Sequence, residues 1–213
     1  MAAHAHPLVL DLVLTIRHDG RGGVADDLAE TAGLTEWVRR HAEELDGARA
    51  AGTAVPEPFH AAAFVADEAS LTAVRDLRTA VRSLFARAVR PGPPSPADTR
   101  RLLPEGEALA RLNGAAATVP VVPRLEWADH GAPVVVSRAA GTVPAREALT
   151  AALARAAIAF LASPDRERLR ACHAPRCVRY FLKEHPRQEW CKPSCGNRAR
   201  VARHHERHRT PTA

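Results

Sequence analysis

The chain's 213 residues suffice for one ordinary domain plus a small appendage, and with 46% hydrophobic but only 4% aromatic residues the core must be filled by aliphatic side chains. No stretch reaches 18 apolar residues, which argues against a membrane-spanning helix, and no basic segment precedes the apolar run at residues 8–16, so a cytoplasmic protein without a secretory leader is expected. The net charge of +6 hides an asymmetry: residues 166–213 carry 13 Arg and Lys against 4 Glu, a balance of +9, and residues 1–165 balance to −3, as expected when one basic segment meets a polyanion.

Residues 1–163 read as one α/β, mainly helical N-terminal domain. The run at 8–16 is too short for periodicity to decide between strand and helix. Asp11 interrupts it and is read as a hydrogen-bonded structural residue. Gly20-Arg21-Gly22-Gly23 lacks the downstream pattern of a nucleotide loop and reads as a surface turn. Asp26 and Asp27, like Glu43 and Glu44, are adjacent carboxylates explained by solvation. Leu34, Trp37, Val38, His41 and Leu45 follow helical spacing.

A longer helix is predicted over residues 67–89, with Leu71, Val74, Leu77, Val81, Leu84 and Phe85 inward and Arg75, Arg78, Arg82 and Arg87 on a solvated face. Pro91-Gly92-Pro93-Pro94 ends it. Ser95-Pro96-Ala97-Asp98 predicts a new helix with Ser95 as cap, broken or kinked at Pro104. Residues 119–127 and 133–138 flank Asp129-His130-Gly131 as a β-hairpin. Thr142-Val143-Pro144 opens a last helix over residues 145–161. Ser163-Pro164-Asp165 then serves as linker and fresh N-cap, so the second unit spans residues 165–210.

All four cysteines fall in that unit. Cys172 and Cys177 are spaced C-x4-C, Cys191 and Cys195 C-x3-C, with thirteen residues between the pairs. Zinc takes four thiolates in a tetrahedron, and two short-spaced pairs joined by a hairpin supply that geometry. One structural Zn2+ is therefore expected; disulfides, free thiols and a redox site are the alternatives, disfavoured in a reducing compartment. Val178, Tyr180 and Leu182 alternate with Arg179, Phe181 and Lys183 as a short strand would. Residues 184–188 turn the chain back, and Cys191 and Cys195 sit at the mouth of a helix running toward Arg209. The order is similar to a treble-clef finger. Its core reads as separate from that of the N-terminal domain and too small to fold without metal.

On a helical wheel, Arg200, Arg203, His204 and Arg207 share one face of the exit helix and are the candidate nucleic-acid contacts. Val201, Ala202 and His205 fall on the other face together with Arg198, which reads as a structural residue over the hairpin. Gly196 permits a close approach, and Asn197 is expected to bond backbone near the knuckle. His205-Glu206 does not continue to HExxH, because position 209 is Arg. His204 and His208, at i and i+4, read as a solvated or phosphate-facing pair in preference to a second metal site.

Cys195-Gly196-Asn197-Arg198, with the paired cysteines and the basic helix in the same order, resembles the CGNR zinc-finger family. In that family the finger usually follows an ABATE domain, associated with stress-induced transcription regulation. The segments at residues 10–13 and 34–38 look like that domain, although Leu14 stands where the family commonly has Asn. The resemblance implies a bacterial transcription regulator that binds DNA through the finger. Homodimerisation and a small-molecule effector of the N-terminal domain are the further expectations. The alternative function is an RNA- or protein-binding zinc adaptor. No cluster of His, Asp and Cys points to an enzyme.

Overall fold

The computed structural model describes residues 7–21, 23–47, 60–139 and 143–208. Gly22, Thr142 and Arg209, which the sequence placed in a turn, at a helix start and at a helix end, lie outside the described residues. Along the described chain run α1 (Leu8–Leu14), β1 (Ile16–His18), β2 (Val24–Asp26), α2 (Thr31–Arg40), α3 (Ala42–Gly47), α4 (Glu68–Ala88) and α5 (Glu105–Ala117). They are followed by β3 (Val121–Glu126), β4 (Val134–Ala139), α6 (Ala145–Ala162), β5 (Leu169–Ala171), β6 (Tyr180–Leu182) and α7 (Pro193–His208). The strands pair only as antiparallel hairpins, β1 with β2, β3 with β4 and β5 with β6.

The ambiguous apolar run resolves into both options in turn, a helix and then a strand. Val9, Leu10, Leu12 and Val13 of α1 are buried, and Ile16 opens β1. Two carbonyls at the end of α1 find donors: Thr15 Oγ1 donates to that of Leu12 at 2.7 Å and Arg82 to that of Val13 at 2.7 Å. After β2 the chain turns sharply into α2. A Cβ at Gly33 would lie 2.1 Å from the Asp27 carbonyl oxygen, so only glycine lets the helix sit on that turn.

Helix α4 is the axis of the body. Asp67 caps it by accepting from the Ser70 amide at 2.7 Å. Its six predicted core residues are all buried, packed among α1, α2, α5 and α6. The predicted solvated face is only half so: Arg87 is exposed and Arg75 partly exposed, but Arg78 and Arg82 are not. Arg78 and Arg82 are each only 5% exposed, because α1, the β1–β2 hairpin and the loop at 95–101 close over that side of the helix. Arg78 forms a two-pronged ion pair with Asp26 at 2.6 Å and also donates to Thr15 Oγ1. Asp26 is thus not a solvated carboxylate. Burial would raise its pKa, but the Arg78 bonds and charge, the Leu28 amide and Arg75 together hold it below the usual range.

Ser95 does not start a helix. Residues 96–101 form turns, and α5 begins only after Pro104, which occupies its N-cap. Ser95 and Asp98 instead point into the protein, 0% and 4% exposed. Ser95 Oγ donates to the Val178 carbonyl at 2.8 Å, and Asp98 accepts from Arg82 at 2.6 Å and from the Tyr180 hydroxyl at 2.7 Å.

These bonds cross from the body to the cysteine-bearing segment, and the packing does too. The expectation of separate cores is therefore corrected: one hydrophobic cluster runs from Val9 through Phe85 and Phe160 to Leu169, Ala171 and Tyr180. Tyr180 meets Phe85 edge-on, ring centroids 5.5 Å apart, and lies under the Arg82 guanidinium at 5.4 Å. Burial and the Asp98 carboxylate push its phenol pKa up, so the hydroxyl stays protonated and donates. The β3–β4 hairpin forms where the sequence placed it but stands clear of the core, with Leu125, Trp127 and Val135 at least 64% exposed.

Asp11 also has a protein partner: His41, which caps the C-terminal end of α2, places Nε2 3.6 Å from its carboxylate and donates from Nδ1 to the Trp37 carbonyl at 2.9 Å. Burial pulls the His41 pKa down, but the Asp11 hydrogen bond, the Trp37 carbonyl and the charges of Asp11 and Glu44 outweigh it, and the net shift is upward. A raised folded-state pKa contributes stability that is fully present below the unfolded value of about 6.5 and is lost as pH rises through the folded value. The stability gap between wild type and Asp11→Asn, measured by urea unfolding from pH 5.5 to 8.5, is expected to narrow with rising pH. A second expectation concerns the Arg82 network. Arg82→Met should cost about 3–5 kcal/mol by stranding Asp98, and Tyr180→Phe about 1–3 kcal/mol by removing its donor. Arg17→Ala, which breaks an exposed pair with Asp27, should change stability by no more than about 1 kcal/mol.

Candidate metal centre

The four thiols converge from three places. Cys172 follows β5, its amide donating to the Arg179 carbonyl at 2.9 Å, which extends the hairpin to the metal-binding turn. Cys177 closes that turn by donating to the Ala174 carbonyl at 2.9 Å. Arg176, just before it, takes φ +63°, the left-handed conformation that usually goes to glycine. Cys191 precedes α7, and Cys195 lies in its first turn, with an amide bonded to the Lys192 carbonyl at 3.0 Å.

The sulfur atoms all lie within 4.8 Å of one another. Cys191 Sγ is 3.6 Å from that of Cys177 and 3.5 Å from that of Cys195. A zinc ion bonded to four thiolates at about 2.3 Å sets its sulfurs about 3.8 Å apart, whereas a disulfide needs about 2.05 Å. The cluster therefore has the spacing of a single tetrahedral zinc and not of paired disulfides. Cys172, Cys177 and Cys195 are buried and Cys191 half-buried, so the site is closed on most sides, as a structural zinc requires.

The thiols' own electrostatics call for a cation. Cys172, accepting from Cys177 and Cys191, has its pKa drawn down to about 2, while Cys177 is pushed up to about 11 by its bond to Cys172. Cys191 is driven up by both neighbours and by burial. Thiolates packed this closely repel one another, and a divalent cation removes that penalty. Arg198 relieves part of the remaining negative charge: its guanidinium donates to Cys195 Sγ at 3.1 Å and, through Nε, to the Pro175 carbonyl at 3.1 Å. That side chain pins α7 to the first metal-binding turn.

Around the metal lies a second, smaller apolar cluster containing Phe181, Ala174 and Trp190. The Trp190 ring covers Gly196, where a Cβ would come 3.1 Å from the ring's Cδ1 atom. Asn197 is exposed, and the bond its side chain makes is with Arg200 rather than with backbone. Arg200, Arg203, His204 and Arg207 are all exposed along α7, and the His204 ring lies 4.3 Å from that of His208. The face opposite these arginines is only partly covered. Ala199 is buried and Ala202 half-buried, but Val201 is 56% exposed and His205 is exposed, because α7 outruns the metal cluster and meets no other packed element among the described residues.

Sequence reasoning missed the residues joining this site to the body: Arg82, Ser95, Asp98 and the inward role of Tyr180. Nothing local marks them, since their partners lie 13 to 85 positions away. The alternation of Tyr180 with Phe181 was a signal, but it was read as one strand of an isolated finger.

One zinc per chain is expected by elemental analysis of protein purified without chelator, with four thiols titratable after its removal. Affinity should fall with acid, because each ligand binds only after losing its proton. Since Tyr180 belongs to the body's core, Cys195→Ser or chelation should lower the melting temperature of the whole chain in one calorimetric transition. A body transition left unmoved beside a lost finger would contradict the shared core.

The family model described as "Putative stress-induced transcription regulator", ABATE, matches residues 6–164, and the model of the CGNR zinc finger matches residues 168–208. No curated protein matches the chain. Among the described residues no helix is long and apolar enough to cross a membrane. Neither matched family is an enzyme family. With the first match covering most of its length and the second its metal centre, the chain belongs to the ABATE family and carries a CGNR zinc finger behind that domain.

Proposed function

We propose that the protein is a cytoplasmic DNA-binding transcription regulator. Zinc holds the start of α7, α7 meets the nucleic acid, and the N-terminal body senses a small molecule or joins two copies of the chain. The observation that carries this reading is the character of α7 beyond the metal. Arg200, Arg203 and Arg207 share one exposed face with His204 at its edge, and only Cys195 and Ala199 of the helix are buried. A cationic helix anchored at one end and uncovered along its length suits phosphate backbones and groove edges. The distribution of charge, +9 over residues 166–213 against −3 before them, supports the same partner. The regulator family matched by residues 6–164 supports the role in transcription. No catalytic residue is assigned.

Each phosphate contact releases counterions, so affinity for duplex DNA should fall by roughly 0.9 log units per log unit of salt for every contact. Arg203→Ala should flatten that slope by about one if it meets a phosphate. It should instead remove about 1–3 kcal/mol of discrimination at one base pair if it reads guanine. Arg198→Ala should act mainly on zinc retention and stability. Fluorescence anisotropy across a salt series, with zinc measured in every variant, distinguishes these outcomes. Unchanged DNA binding in the zinc-loaded triple Arg200/Arg203/Arg207→Ala variant would overturn the reading and favour an RNA- or protein-binding adaptor.

A further inference from the structure

Where α4 ends and the chain passes from α6 into β5, two open clefts adjoin. One, of about 570 Å3, is bordered by Arg87, Arg90, Arg166 and Arg170. The other, of about 310 Å3, is bordered by Leu84, Leu109 and Leu161. Arg87, Ala88 and Arg166 line both, so the two form one groove with a basic end and an apolar end. Glu105 pairs with Arg87 at 2.8 Å and with Arg90 at 2.7 Å, and Glu167 lines the basic end. Four guanidiniums against these two carboxylates leave that end positive. Arg170 is held in place through one nitrogen, which donates to the Glu167 and Leu169 carbonyls at 2.7 Å each. Among the described residues its remaining N–H groups are left for an acceptor.

Neither half of the groove is satisfied by an occupant suited only to the other. A nucleic-acid phosphate would engage the arginines and leave Leu109, 42% exposed, uncovered. A neutral hydrocarbon would cover the leucines and leave unbalanced the positive charge that Glu105 and Glu167 do not offset. We propose that this groove binds a small amphipathic anion, a hydrocarbon body with a terminal phosphate or carboxylate: the head lies on Arg166 and Arg170 and the body against Leu84, Leu109 and Leu161. The inference rests on reading the N-terminal body as a ligand sensor, and it is independent of DNA binding by α7. Its position suits that role. Arg166 belongs to the 3-10 turn Pro164–Arg168, which runs straight into β5 and so into the hairpin that carries Tyr180 and Cys172.

The test is isothermal titration calorimetry of the zinc-loaded full chain with hexyl phosphate, hexanoate, hexanol and inorganic phosphate. One site is expected, with hexyl phosphate or hexanoate binding at least about ten-fold tighter than either hexanol or inorganic phosphate, and the tighter of the two identifying the head group. Arg166→Glu and Leu109→Ser, both at exposed positions, should each weaken that binding about ten-fold with zinc content and melting temperature retained. The proposal fails if neither tailed anion outbinds hexanol, if inorganic phosphate binds as tightly as hexyl phosphate, or if both variants bind like wild type. Repeating the DNA titration with saturating hexyl phosphate separates the two readings. Binding in the groove without any change in DNA affinity would sink the sensor reading and leave the site standing, whereas DNA affinity that responds to an anion bound elsewhere would sink the site alone.

Discussion

The hydroxyl of Tyr180, buried and bonded to Asp98, which in turn is held by Arg82, is the contact on which the arrangement of this protein depends. It lies on a strand of three residues. Successive side chains of a strand point to opposite faces, and β6 uses that alternation to belong to two cores at once: Tyr180 enters the cluster around Phe85, and Phe181 enters the cluster around the cysteines. A slip of one residue would exchange the two and put an aromatic hydroxyl beside the metal. The Leu169–Leu182 and Ala171–Tyr180 pairings set the register, and the Ser95 bond to the Val178 carbonyl fixes the strand's approach.

Buried arginine–carboxylate pairs are poor evidence of net stabilisation, because removing two charges from water costs about as much as their attraction returns. What they supply here is position. Arg78 and Arg82, one turn apart on α4, reach in different directions. Arg78 reaches Thr15 and Asp26, and Arg82 reaches the end of α1, the loop at Asp98 and the ring of Tyr180. A purely aliphatic surface at these positions could slide, whereas a guanidinium with several fixed acceptors has one satisfactory geometry. Helix α1, the β1–β2 hairpin, the 95–101 loop and the metal-bearing hairpin are thereby all referenced to one helix.

The parts of this molecule legible in the sequence were those with a local signature. The 67–89 pattern predicted α4 to within a residue or so at each end. The turn signal at residues 129–131 predicted the β3–β4 hairpin, and the cysteine spacing anticipated a cluster whose sulfurs now lie close enough for one metal. The misreadings share one physical origin. A helical wheel shows which face of α4 is apolar but not whether its polar face is covered, so Arg78 and Arg82 were read as solvated. Ser95-Pro96-Ala97-Asp98 has the composition of a helix start, and only the distant Tyr180 and Arg82 draw Ser95 and Asp98 inward instead. The wheel of α7 likewise separates two faces but carries no information about where a packing partner ends, and Val201, on the face opposite the arginines, is 56% exposed.

That last point bears on α7 itself. Its orientation comes from its first turns: Cys195 at the metal, Ala199 buried, and Arg198 bonded across to Pro175. Beyond Ala202 every described residue of it is exposed, and Arg200, Arg203 and Arg207 stand three or four residues apart, where like charges destabilise a helix by about 0.2–0.5 kcal/mol per pair. The basic residues of the last turn complement the helix dipole, which offsets part of that repulsion only near the end. The helix thus concentrates like charge on its least supported stretch, an arrangement that works against its own stability in isolation. On the proposed reading, a row of phosphates would reverse the sign of the effect, because each guanidinium would then face an opposite charge. What fixes the helix is its start, through Cys195 at the metal site, the buried Ala199 and the Arg198 bonds to Pro175 and Cys195.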